Sequence, residues 1–582
     1  MLKRIADRPV LRDAAMLFPG PLFARELRAA SRRPSTYAAR CAYVGGLVLL
    51  AAFLWKVDWS ASWRTAAFLS VMSAESARQA TTAIAWFQFA ILPVVALAAV
   101  GTALSAEVSR RRLGTLLSTP LGSGRVVWGV FLAALCQPFV LAGITFVVLM
   151  VVRVLGGVPA EFVVGSAAVT LTTMLLAAAA AFAVALVFRE IHTVIGVSLG
   201  AAAILFAVVP WARGAFASVW GTPPAVAWHA SPTEVLVGLA NLVWYPGTAP
   251  AVPWGAHCLG AAAAAMAVVS VCAFRIRKTA LRRAFDAAGA TAPFEARVPL
   301  LGWMRRIAER AAPRRVGAMP TYWLERLRGG YRRRLWHAAF AGGGVAALVA
   351  ARAAAADEFF RGPGAVRTTL LLAVLGALFT VIEGAGGIAA EKQAGTWPLV
   401  CATPLSAKRM VLGRWLGTCR GALFAWCPFA LHIVLCVAGG GLSIEIVALA
   451  GLVAAGIVLC FTASGLFMSA WCATPGVAIV RNVILWCALW WVVPFIADKT
   501  WPDGLRYYVP HITAYTHSLR ALEEAAIIAS KESVRGSSPL FLGLRRLDLD
   551  VLEIVGMNAV VFFVHALGGL GFCAMAAARV RE

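Results

Sequence analysis

What most constrains this chain is a succession of apolar runs, each long enough to cross a bilayer and each ended by charged or turn-forming residues. A helix needs about 20 apolar residues to span the hydrocarbon core, where only helices and closed barrels satisfy their own backbone polar groups. By that criterion the first half carries spans near 37–55, 83–104, 126–151, 162–188, 193–211 and 255–274, with Arg189, Glu190 and His192 marking a very short loop after the fourth. The second half carries spans near 335–351, 366–388, 411–437, 444–470, 476–497 and 555–578. The predicted fold class is therefore an all-α polytopic membrane protein of about twelve transmembrane helices, in two halves of six. Composition agrees: 14% of residues are charged and 61% hydrophobic, against roughly 25% charged in a soluble domain.

Charge orients the spans. The net charge of +26 would suit nucleic acid, but the Lys and Arg residues sit beside apolar runs, where they mark cytoplasmic loops, so no nucleic-acid partner is expected. Residues 275–334 hold sixteen Lys or Arg against Asp286, Glu295, Glu309 and Glu325, which places this linker inside. Loops at 56–82, 212–254, 352–365 and 498–554 then lie outside; the last is near charge balance, with Asp498, Lys499, Asp503, Arg506, Arg520, Glu523 and Glu524. Trp55, Trp59, Trp63, Trp211, Trp220, Trp490, Trp491 and Trp501 fall where an interfacial aromatic belt lies. The first apolar run has no cleavage-like site and is read as a retained span, leaving both termini in the cytoplasm of a cell whose inner membrane holds the chain.

One stretch occurs twice. Residues 389–413, AAEKQAGTWPLVCATPLSAKRMVLG, align without a gap on 105–129, SAEVSRRRLGTLLSTPLGSGRVVWG. They agree at Ala106/Ala390, Glu107/Glu391, Thr119/Thr403, Pro120/Pro404, Leu121/Leu405, Arg125/Arg409, Val127/Val411 and Gly129/Gly413. In each copy a span ends on a glutamate, a short amphipathic stretch follows, and Thr-Pro stops it, because proline cannot continue a helix and biases its predecessor away from helical geometry. The predicted product is a charged helical knuckle between spans two and three, on the cytoplasmic side.

Two further echoes flank the spans. Residues 10–34 intersperse Leu17, Phe18, Leu22, Phe23 and Leu27 with Arg25, Arg28, Arg32 and Arg33, a pattern that lies along a bilayer surface. Pro320–Leu327 mirrors Pro21–Arg28, with Glu325 and Glu26 each five residues after the proline, and WHASPTEVL at 228–236 answers PHITAYTHSL at 510–519. Three echoes in one order argue duplication of the whole half. The expected organisation is a cytoplasmic N-terminus with a lead-in helix (1–36), a first six-span half (37–274), a basic linker with a second lead-in helix (275–334), a second six-span half (335–578) and a cytoplasmic C-terminus (579–582).

A surface helix ending in Glu-Leu-Arg, six spans, and a glutamate followed by Gly-Thr and then Thr-Pro-Leu-Ser between spans two and three resemble the permease half of an ABC-2 type exporter. Here that half occurs twice. The resemblance implies that each knuckle is a coupling helix docking on a separate cytoplasmic ABC ATPase, two copies per chain, and that the lead-in helix braces it. It carries coupling roles onto Glu107, Thr115, Leu116, Thr119, Pro120 and Leu121 in the first copy, and onto Glu391, Gly395, Thr396, Thr403, Pro404 and Leu405 in the second. It carries bracing roles onto Glu26, Arg28, Glu325 and Arg326. The first copy departs from the pattern: Arg111-Arg112 stand where Gly-Thr is expected, and Gly114-Thr115 comes one turn late.

The chain encodes no motor of its own. No GxxxxGK[ST] loop exists, and Lys278-Thr279 and Lys499-Thr500 lack the glycines, so the chain is read as a non-enzyme that binds no cofactor, with ATP on the partner. The twelve cysteines form no CxxC or zinc-like spacing and read as packing residues. Within spans, Glu383 beside Gly384, Gly386 and Gly387 is the candidate conduit or gating contact; His432 and His565 read as packed neutral histidines, and Gln88 and Gln137 as interhelical hydrogen-bonders. Two other readings stay open: an ABC-type anchor working on something other than cargo, and a lipid-linked transferase. The second would need paired carboxylates, whereas Asp498, Asp503, Asp548 and Asp550 interleave with Lys499, Arg506, Arg545 and Arg546.

Overall fold

The computed structural model describes residues 23–25, 28, 31–32, 34–54, 74–109, 122–188, 191–203, 231–245, 252–287, 319–327, 341–349, 352, 360–493, 515–530 and 551–581. Among these there is no strand, and eight helices are long and apolar enough to cross a membrane, which makes the chain a multi-pass α-helical membrane protein. The described residues form two compact units, one up to residue 287 and one from residue 319.

The first unit comprises α1 (Pro34–Leu54), α2 (Ala74–Ser109), α3 (Ser123–Gly156), α4 (Ala160–Val187), α5 (Ile191–Ala203), α6 (Pro232–Trp244) and α7 (Trp254–Ala287). Helix α4 is its axis, packed against α2, α3, α5, α6 and α7. Its buried residues are mostly small, Ala177, Ala178, Ala179, Ala181 and Ala185 among them, which lets neighbours approach closely where lipid supplies no hydrophobic drive. Tyr43 on α1 meets Thr145 on α3 at 2.7 Å, and Arg40 donates to Gln137 at 2.9 Å, the interhelical bond anticipated for that glutamine. Gln88 differs: it is buried, but its Nε2 makes no hydrogen bond among the described residues.

The second unit comprises α8 (Pro320–Leu327), a helical turn sequence at 341–349, α9 (Gly362–Gly384), α10 (Gly387–Ala394), α11 (Trp397–Cys401), α12 (Ala407–Leu423), α13 (Cys427–Ala438), α14 (Glu445–Trp471), α15 (Pro475–Cys487), α16 (Ser518–Ala529) and α17 (Val551–Arg581). Here α14 is the axis, packed against α9, α12, α15, α16 and α17. His432 and His565 are packed as anticipated, the first meeting the Ala365 carbonyl at 3.3 Å and the second the Ser518 hydroxyl at 2.9 Å.

Several expected boundaries change. Eight expected spans lie on the eight qualifying helices; α1 carries an apolar stretch of only Arg40–Leu50, α15 one of Pro475–Trp490, α5 is described to Ala203, and the span at 335–351 is described only over 341–349. The 411–437 span is interrupted by a 3₁₀ turn at Phe424–Trp426, because Pro428 has no N–H to continue the α-helical ladder. The 366–388 span lies within the apolar helical stretch Gly364–Ala394, whose regular α-helix is interrupted at Ala385–Gly386, next to Gly384, where a Cβ would lie 2.8 Å from the Thr462 Cα of α14. Helix α2 begins at Ala74, inside the expected 56–82 loop.

The largest correction concerns the loops after the fifth spans, each of which contains a helix, α6 and α16. Every residue of α16 from Ser518 to Ile527 is buried, including Arg520, Glu523 and Glu524, which the charge-balance reading placed in an outside loop. Their spacing at i, i+3 and i+4 puts them on one helix face, where Arg520 pairs with Glu523 at 3.3 Å and Glu524 at 2.6 Å away from water.

Candidate functional site: a knuckle on an ion-locked base

The second copy of the repeated stretch is described throughout, and it is built from α10, α11 and the start of α12. Helix α10 ends at Gly395, whose φ of +73° is a left-handed conformation open to glycine, while the Thr396 N–H closes on the Glu391 carbonyl at 3.0 Å. The chain turns there into α11, and Pro398 in its first turn costs no intrahelical bond. Thr403-Pro404 then follows the end of α11, and the Ser406 hydroxyl caps α12 by accepting from the Arg409 N–H at 3.4 Å.

The tip and the base of this knuckle differ sharply. No residue of α11 is buried, and Leu399 is 71% exposed. Gly395, Thr396, Thr403 and Pro404 are likewise exposed and Leu405 is half-buried. Beneath them the Arg414 side chain, from the second turn of α12, is 1% exposed. Its Nη2 donates to Glu391 Oε1 of α10 at 2.6 Å and its Nη1 to Glu325 Oε1 of α8 at 3.5 Å, and its guanidinium lies 5.7 Å from the Trp397 ring of α11. One buried cation thus touches the lead-in helix, both knuckle helices and the third span's helix. Charge-assisted bonds of this kind are about twice as strong as neutral ones, and a buried pair is screened little.

The backbone is shaped to bring these groups together. Helix α8 crosses α12 over Gly413 and Gly417, where a Cβ would meet Thr321 Oγ1 at 2.2 Å and Glu325 Cβ at 2.7 Å. Larger residues at either position would hold Glu325 away from Arg414. The Thr321 hydroxyl donates to the Arg409 carbonyl at 3.3 Å and Arg420 donates to the Tyr322 hydroxyl at 3.4 Å, flanking the crossing. Helix α10 is also pinned to the end of α14, through the Ala389 N–H on Ser469 Oγ at 2.8 Å and Lys392 Nζ on the Ala470 carbonyl.

The structure therefore brings Glu325 and Glu391 onto one cation and sets Gly395, Thr396, Thr403, Pro404 and Leu405 around the exposed tip. Glu383 sits half-buried in the last turn of α9, beside the place where Gly384 and Gly465 bring the backbones of α9 and α14 together. In the first copy Glu107 lies in the last turn of α2, its side chain outside the described residues, as are Thr115, Leu116, Thr119, Pro120, Leu121 and Glu26. Arg28 is exposed, its Nε donating to the Ala24 carbonyl at 3.1 Å, and Arg326 belongs to α8 with its side chain outside the described set.

Sequence reasoning missed Arg414. The signal was present: an arginine inside an expected span, between two glycines four apart, downstream of a repeated glutamate. Among the described residues no group of three or more His, Cys, Asp or Glu could hold a metal ion. The arrangement presents an exposed apolar helix, α11, above a buried ion cluster that joins α8, α10 and α12. No family model, no curated protein and no solved structure matches this chain.

Proposed function

We propose that the chain is the membrane permease of an ABC-2 type exporter, two six-span halves fused in one polypeptide, driven by a separate cytoplasmic ATPase that grips the knuckles. The observation that carries this reading is the exposed α11 held over the buried Glu325–Arg414–Glu391 cluster. A surface meant only to sit in solvent has no use for a helix with Leu399 projecting from an ion-locked platform, whereas a lever needs both a tip for its partner and a stiff connection to the spans. The lead-in helix α8 supplies the brace through Glu325. Further support comes from the shared packing order: α4 and α14 take up corresponding neighbours in the two units, as duplication of a half would produce.

In this mechanism closure of two ATPases carries the knuckles with it, and the buried cluster passes the displacement to α12 and α8 together. The cargo crosses the bilayer outward between spans. The test is purification of the full chain from its native membrane with crosslinking, followed by ATPase and transport assays. An ATPase subunit recovered with the wild-type chain and lost with Leu399→Asp, together with ATP-dependent cargo movement, supports the reading. Recovery of the ATPase without any cargo movement would favour an ABC-type anchor, and labelling of a Leu399→Cys thiol by an impermeant reagent from outside the cell would sink the docking role.

A further inference from the structure

Helix α12 carries an exposed cation within an otherwise apolar face. Leu412, Leu416, Arg420 and Leu423 recur on it at helical spacing, Phe424 follows at the 3₁₀ turn, and all five are exposed. Arg420 is also the last charge before the membrane-crossing part. Residues 421–438 contain no Asp, Glu, Lys or Arg, and at 1.5 Å per residue they extend about 27 Å, close to the thickness of the hydrocarbon core. The guanidinium therefore stands at the boundary between hydrocarbon and headgroups, on the side of the bilayer where the second knuckle lies.

An arginine facing lipid at that depth needs an anion, because a charge left unpaired beside hydrocarbon is costly. Among the described residues Arg420 has no carboxylate partner, and its one hydrogen bond runs from Nη1 to the Tyr322 hydroxyl of α8 at 3.4 Å. Tyr322 is set there by the helix crossing: its Cδ2 lies 3.6 Å from where a Cβ on Gly417 would stand. Since the Tyr322 oxygen accepts from Arg420, its own O–H is left to donate, so the pair offers N–H and O–H donors side by side with a positive charge. Exposed Leu416 and Leu423 lie one turn to either side of Arg420 on α12, and α8 adds exposed Leu324. The sequence leaving α8 is basic as well, with Arg326, Arg328, Arg332, Arg333 and Arg334, a run of the kind that anionic bilayers attract.

We infer that Arg420 and Tyr322 form a binding site for the phosphodiester headgroup of an anionic phospholipid, whose acyl chains lie against Leu423 and Phe424. A bidentate guanidinium suits a phosphate, and the apolar flanks suit a phosphate that carries chains rather than a free ion. A zwitterionic lipid brings its own cation to the same phosphate, so the site prefers a headgroup of net negative charge. The bound lipid clamps α8 onto α12 three residues before Glu325, the member of α8 that reaches the buried cluster. Neither the site nor the clamp requires an ATPase or a cargo, so both stand apart from the exporter reading.

Native mass spectrometry of the full-length chain in detergent, titrated with dioleoyl phosphatidylglycerol or dioleoyl phosphatidylcholine, tests the site. The first phosphatidylglycerol is expected to bind about tenfold more tightly than the first phosphatidylcholine, and Arg420→Gln to bring the two within about twofold. Tyr322→Phe, which keeps the ring and removes the O–H, is expected to weaken phosphatidylglycerol about threefold. Arg277→Gln, which removes a likewise exposed arginine from α7, is expected to leave the preference within about twofold of wild type. The inference is overturned if Arg277→Gln costs as much as Arg420→Gln, which would leave only the general attraction of a basic chain for anionic lipid. Displacement of the lipid by millimolar inorganic phosphate overturns it too, as does an unchanged preference in Arg420→Gln accompanied by loss of a co-purifying protein, which would give Arg420 to that partner. The clamp is read separately by hydrogen exchange in nanodiscs: amides 320–327 are expected to exchange about threefold more slowly in phosphatidylglycerol than in phosphatidylcholine, and equally in both with Arg420→Gln. Equal exchange in the wild-type chain would remove the clamp.

Discussion

Replacing Arg414 by methionine isolates the energetics of the locked base. The substitution keeps an unbranched apolar stem but removes the guanidinium between two carboxylates whose side chains are 4% and 11% exposed. Solvent has little access to replace the cation beside Glu325 and Glu391, and the site is poorly screened. Breaking a buried ion pair by deleting one partner costs about 3–5 kcal/mol, and here the deleted cation serves two carboxylates. Replacing the whole cluster with neutral groups, Glu325→Gln, Arg414→Met and Glu391→Gln together, removes that penalty and is expected to return stability to within about 1 kcal/mol of wild type. Reversible unfolding of the purified chain in mixed micelles, followed by tryptophan fluorescence, measures both. If Arg414→Met lies within about 1 kcal/mol of wild type, or if the triple variant is as unstable as the single one, the cluster does not hold the knuckle and the reasoning fails.

Three other outcomes follow from local geometry. Gly465→Ala puts a Cβ 2.5 Å from the Gly384 carbonyl carbon and 2.7 Å from the Ala385 nitrogen, so α9 and α14 must separate; a loss of about 1–3 kcal/mol is expected in the same unfolding assay. Gly395→Ala meets no atom within 4 Å, so its cost is backbone strain alone, about 1 kcal/mol, and exchange should rise in the 391–401 amides with no change at 320–327. His517, the N-cap of α16, is held well below the ordinary histidine value of 6.5, first by burial and then by His565 and Arg520, with the backbone bonds it makes opposing. The unfolded chain therefore binds a proton that the folded one refuses: stability is full above pH 6.5 and falls by about 1.4 kcal/mol per pH unit below it, a slope that His517→Asn should flatten in unfolding curves taken between pH 7 and pH 5.

The spans were legible because the bilayer reads composition directly. A run such as 444–470 has one place to go whatever its neighbours do, and it forms α14 within a residue of its expected ends. The helix α16 was not legible in the same way. Arg520, Glu523 and Glu524 resemble a solvated loop in a linear reading, and only folding of this segment against α9, α14 and α17 makes their mutual pairing visible. Glu325 and Glu391 could be singled out by recurrence, but the group that joins them could not. Arg414 has no counterpart in the first copy, so the comparison that found the glutamates passed over it.

The sequence by itself determined that this is a helical membrane protein, where most of its long helices run, and that one stretch leading into Thr-Pro-Leu recurs along the chain. These are local properties: apolar length and proline stereochemistry act on neighbouring residues alone. Tertiary structure decided which charges are neutralised and by what. Arg414 lies 89 residues from Glu325 and 23 from Glu391, and their meeting requires the close crossing of α8 over Gly413 and Gly417. No pattern along the chain encodes that separation, because the energy of a buried ion pair depends on distance and desolvation, which only the packed helices set.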